Sequence, residues 1–88
     1  MDLNVEKEGA QLIEAIEEVN EEMDLASEED ATIEDIEGAK TLAAELIERY
    51  DELLKRLNHD EQRKLKQRVG HLLEQVKEKL TQLKEAPE

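Results

Sequence analysis

Residues 32–57 read TIEDIEGAKTLAAELIERYDELLKRL. Their main apolar positions are Ile36, Ala39, Ala43, Leu46, Tyr50, Leu53 and Leu57, spaced by alternating steps of 3 and 4. Side chains at that spacing share one face of an α-helix, because about 3.6 residues complete a turn. Ile47 and Leu54 widen the stripe on one side and Leu42 on the other, which suits a helix in a globular bundle better than a narrow two-stranded seam. Gly38 is the only glycine in the segment, and no proline interrupts it. Thr32 followed three residues later by Asp35 has the spacing of a capping box, with Asp in place of the usual Glu or Gln.

The same rhythm extends towards the N-terminus. Val5, Gly9, Leu12, Ile16, Val19 and Met23 succeed one another at steps of 4, 3, 4, 3 and 4. Ile13 and Ala15 broaden that stripe. Asn4 is a suitable N-cap, and the acidic residues after it favour the positive end of the helix dipole. Residues 26–31 form the connection. Ser27, with Asp30 three residues on, is a second N-cap signal, which leaves a start at Ser27 as the alternative to Thr32.

Towards the C-terminus, Asn58-His59-Asp60 breaks the pattern. Asn58 suits a left-handed helix end, and Asp60 suits the N-cap of a third helix. That helix is expected to carry Leu65, Val69, Leu72, Val76 and Leu83 on its face, with Leu73 and Leu80 beside them. Lys79 falls on that seam, where its stem can pack while its charge reaches water. Gly70 interrupts this helix at a cost of about 1 kcal/mol relative to Ala. Tolerated drift is the preferred reading, with a bend or a close approach by a partner as the alternative.

These segments predict an all-α fold, an antiparallel up-down-up three-helix bundle with helices at about 4–25, 32–57 and 60–84. The whole chain, 1–88, is read as one domain with frayed ends at about 1–3 and 85–88. The alternative architecture is a hairpin of the second and third helices that dimerises, with the first helix added outside.

Composition sets further bounds. Hydrophobic residues are 38% of the chain, but there is no Phe or Trp and the sole aromatic is Tyr50, so the core must be aliphatic. Charged residues reach 42%. That figure would suit a disordered chain, but the regular apolar spacing argues against disorder. Without cysteine there is no disulfide, no thiolate chemistry and no cysteine-ligated metal. No apolar run approaches the ~20 residues that span a bilayer. Met1–Glu6 lacks the basic start and apolar stretch of a signal peptide. A cytoplasmic, non-membrane protein is the expectation.

The net charge is −13, and it is unevenly distributed. Residues 1–38 hold fifteen carboxylates and one basic residue, Lys7; residues 39–88 hold ten carboxylates and eleven basic residues. The plainer reading is that the basic third helix neutralises the acidic first one. The sharper reading is an acidic pole made of Glu21, Glu22, Asp24, Glu28, Glu29, Asp30, Glu34 and Asp35, able to dock a basic surface on a protein partner.

Other chemistries fare worse. Inward Glu-x-x-His pairs mark carboxylate di-iron bundles, but His59 and His71 are preceded at that spacing by Arg56 and Arg68. Residues 24–37 lack the glycine and alternating ligands of a calcium loop. Gly9, Gly38 and Gly70 are isolated, so no phosphate-binding loop is present. No Ser–His–acid set is placed together by sequence. Lys55, Arg56, Arg63, Lys64, Lys66 and Arg68 gather near the second turn, but there are no interleaved aromatics and the chain is acidic, so nucleic-acid binding is not expected. No cofactor and no metal are expected. The reading is a non-enzymatic protein–protein interaction module. Its alternatives are a self-associating assembly protein or a designed bundle without a cellular role. Gly9, Ala39 and Lys79 on the seams and Gly70 within the third helix depart from idealised design and favour a natural origin.

Overall fold

The computed structural model describes residues 4–83. The expected frayed ends, and the end of the third helix at Lys84, lie outside the described residues. Helix α1 spans Val5–Ala26 and α2 spans Ile33–Arg56. The third rod begins as α3, His59–Leu65, widens into a π turn at Lys66–Gly70 and continues as α4, His71–Leu83. Among the described residues there is no strand. Among the described residues no helix is long and apolar enough to cross a membrane.

The caps arise from side chains of the right reach. Asn4 Oδ1 accepts from the Lys7 amide at 3.1 Å and starts α1. Thr32 and Asp35 form the reciprocal capping box, both bonds at 3.1 Å, so α2 begins after Thr32 rather than at Ser27. Ser27 closes α1 instead, its hydroxyl donating to the Met23 carbonyl at 2.8 Å.

The second turn departs from expectation. Asn58 is extended (φ −78°, ψ 177°), not left-handed, and is itself the N-cap of α3. Its side chain accepts from the Glu61 amide at 2.9 Å, and Glu61 Oε1 accepts from the Asn58 amide at 3.0 Å. Asp60 is therefore a first-turn residue rather than the cap. Gln62 completes the turn, its amide donating to the carbonyls of Leu54 at 2.7 Å and Leu57 at 3.2 Å. Those carbonyls belong to the end of α2, where helical partners run out.

The three stripes close on one another. The core holds Leu12, Ile16, Val19 and Met23 from α1 and Ile36, Ala39, Ala43, Leu46, Tyr50, Leu53 and Leu57 from α2 and its end. The third rod adds Leu65, Val69, Leu73, Val76 and Leu83. Ala39 and Ala43 are wholly buried, and their small side chains let neighbouring helices approach α2. Gln11 near the start of α1 meets Arg49 near the end of α2, so these two run in opposite senses. Gly9 faces Leu65 and Arg68, while Asn20 meets Lys79, so α1 and the third rod run in the same sense. The result is a rod of 47 × 19 × 17 Å.

The π turn alters which leucine the third rod buries. A strict heptad continues from Val69 to Leu72, but Leu73 is the buried residue and Leu72 is only half-buried. Positions four apart drift by about 40° per step on an ideal α-helix. The wider turn absorbs that drift, so Leu65, Val69 and Leu73 all face inward. Gly70 ends the π turn, and a Cβ there would sit 3.8 Å from the Tyr50 hydroxyl, an ordinary contact.

Candidate functional site

The eight carboxylates of the acidic pole come together at one end of the rod. Glu21, Glu22 and Asp24 lie on the last turns of α1, Glu28, Glu29 and Asp30 in the connection, and Glu34 and Asp35 in the first turn of α2. All eight are exposed. Two also have structural partners: Asp35 closes the capping box, and Asp24 Oδ1 lies 3.8 Å from Lys79 Nζ.

The two helix ends differ electrostatically. Glu34 and Asp35 sit at the positive end of the α2 dipole, where negative charge is stabilised. Glu21, Glu22 and Asp24 sit near the negative end of α1, whose last turn has no basic residue. Asp24 is in the last turn, where a carboxylate is unfavourable, while Glu21 and Glu22 are a turn earlier, where the dipole gives them no support.

Neutralisation by the third rod is slight. Lys79–Asp24 is the one ion pair between helices among the described residues. The other two, Lys55–Glu52 at 3.3 Å and Lys77–Glu74 at 3.9 Å, join residues three apart on one helix. Most of the negative charge therefore faces solvent.

The pole also contains two apolar residues that lie outside the buried seams. Leu25 is 53% exposed and Ile33 57%, the most exposed large hydrophobics among the described residues. Leu25 lies in a shallow groove walled by Glu21, Asp24 and Glu28. Their position in the sequence is the signal that could have found them: both fall off the seams that end at Met23 and begin at Ile36, and both are bordered by carboxylates. Exposed apolar area rimmed by polar groups is a common composition for a protein-binding surface.

Elsewhere, titratable groups are dispersed. His59 is the first residue of α3 and His71 the first of α4, and both are exposed. Among the described residues no three His, Asp or Glu side chains form a group able to hold a metal ion. Burial pushes the Tyr50 phenol above the ordinary 10.0, with Asp51 and Glu74 adding to the rise. It lies within the core rather than in a cleft.

The family described as the embryogenesis-like protein helical domain matches residues 6–85. No curated protein and no solved structure matches the chain.

Proposed function

We propose that this chain, which belongs to the embryogenesis-like protein helical domain family, is a non-enzymatic interaction module that docks a basic protein surface on its acidic pole. The carrying observation is the placement of exposed Leu25 and Ile33 among eight carboxylates at one end of the bundle. The charges would steer a basic partner into place, and the two apolar side chains would supply area for it to cover. Asp24 lies in the last turn of α1, where a carboxylate does not favour its own helix, which supports a role outside folding.

The test is binding to the intact chain and to a variant carrying E28K, E29K and D30K, at low and high salt. These residues are exposed, so the variant is expected to keep its helical circular dichroism. A partner retained by the wild type at low salt, released at high salt and not retained by the variant supports the reading. Equal retention by both chains would refute it.

Self-association through a leftover apolar stripe has less support. Among the described residues the large exposed hydrophobics are Leu25, Ile33 and Leu42. Ile33 and Leu42 are nine residues apart on one helix, which places them about 180° apart around its axis. They do not form a shared face.

A further inference from the structure

The opposite end of the rod carries the opposite charge. Lys55, Arg56, Arg63, Lys64, Lys66 and Arg68 surround the α2–α3 turn, and residues 55–68 contain only Asp60 and Glu61 against them. All six basic side chains are exposed. Lys55 pairs with Glu52 on its own helix. Among the described residues, Arg56, Arg63, Lys64, Lys66 and Arg68 have no carboxylate within ion-pair distance.

The basic residues of the third rod divide between two of its sides, with Arg63 and Lys66 sharing one. His59, Arg63 and Lys66 recur at steps of 4 and 3 and line one shallow groove with Gln62 and Gln67. Lys64 and Arg68 line a second groove with Glu6 and Glu61. The stem of Arg68 lies over Gly9 on α1, 2.9 Å from where a Cβ there would sit.

The acidic pole and this basic face are separated by the length of α2, about 36 Å for 24 residues. At that distance salt screens each from the other, so they cannot satisfy each other within one molecule. Two copies in line can bring them together.

We propose that the basic face around Arg63 and Lys66 docks the acidic pole of a second copy, head to tail. This rests on the reading of the pole as a docking surface and names its occupant. Eight carboxylates with no basic residue in 21–35 meet an end where six basic residues outnumber Asp60, Glu61 and the neighbouring Glu6, Glu8 and Glu52, so the contact joins opposite net charges. Leu25 and Ile33 lie on the acidic side of it. A contact between two different patches leaves one of each exposed at the ends, so it extends rather than closes unless the copies rotate into a ring. Nucleic acid is the other ligand a basic face could take, but a net charge of −13 opposes it.

Two variants test the proposal by sedimentation velocity across a concentration series. E28K/E29K/D30K breaks the acidic pole and keeps the basic face, and R63E/K66E breaks the basic face and keeps the acidic pole. The wild type is expected to gain mass with concentration at low salt and to lose that gain at high salt. Each variant alone should remain a monomer. Their mixture should form a species of twice the monomer mass and grow no further, because one intact pole meets one intact face. A wild type that stays monomeric at every concentration in low salt overturns the proposal, as does a mixture that stays monomeric. If the wild type is monomeric while E28K/E29K/D30K still loses a basic partner, only the identity of the occupant fails. If no binding depends on those three residues, the reading of the pole fails as well.

Discussion

Lys79 Nζ on α4 lies 3.8 Å from Asp24 Oδ1 and 3.2 Å from Asn20 Oδ1 on α1. Its stem lies on the edge of the core while its head bridges the two helices that run in the same sense. The Lys79 and Asp24 side chains are 41% and 75% exposed, so water screens the pair and its contribution is expected to be small. Replacement by Met keeps the apolar stem and removes the charge. Lys79→Met should therefore change stability by less than about 1 kcal/mol, read as a small shift of the urea midpoint with an unchanged slope. A loss of several kcal/mol would mean that this pair anchors α4 to α1.

The three glycines should respond differently to alanine. A Cβ at Gly38 meets nothing within 4 Å, and one at Gly70 meets only ordinary contacts at 3.8 Å. Each sits in a helical stretch, so Gly38→Ala and Gly70→Ala should stabilise the chain by up to about 1 kcal/mol. At Gly9 the new atom would lie 2.9 Å from Arg68 Cδ. Arg68 must shift, which offsets the gain, so Gly9→Ala should come close to neutral. Thermal unfolding of the three variants checks the order, and a Gly70→Ala variant that unfolds earlier would show that the π turn depends on glycine.

The unequal legibility of the chain has physical causes. The three rods can be read from the sequence because each buries one stripe, and burial imposes a period on the residues. The capping box at Thr32 is legible because it depends on two side chains at fixed spacing. Asn58 misleads because asparagine serves both as a left-handed C-terminal residue and as an N-cap, and only the backbone angles separate the two. Leu73 displaces Leu72 because a π turn changes the period without a compulsory sequence signal, and Gly70 is its only trace. The carboxylates of the pole are visible as a charge run. Leu25 and Ile33 are less so, because an exposed apolar residue is identified by what fails to cover it.

Tyr50 gives the bundle a specific alkaline response. Burial first, then Asp51 and Glu74, raise its phenol above the ordinary 10.0. The folded state therefore holds the proton to higher pH than the unfolded chain does. Its contribution is fully present below pH 10.0 and is lost as pH rises through the higher folded value. The wild type should lose more stability than Tyr50→Phe when urea unfolding is repeated below and above that pH. Parallel losses in the two chains would show that lysine titration and general repulsion account for the response.

Glu22 should separate stability from binding. It is exposed on the penultimate turn of α1, whose last turn has no basic residue. Glu18 lies one turn earlier, and a Glu with a Lys four residues after it is the favourable order on a helix. Glu22→Lys should therefore stabilise the chain by about 0.2–0.5 kcal/mol, an increase that shrinks in high salt. The same change removes a negative charge from the pole and adds a positive one, so affinity for a lysine-rich peptide should fall. Urea unfolding and a fluorescence titration on the same variant read the two quantities. Opposite signs identify Glu22 as a residue kept for docking at the expense of its helix. A fall in both assigns it a structural role, and unchanged affinity removes it from the docking surface.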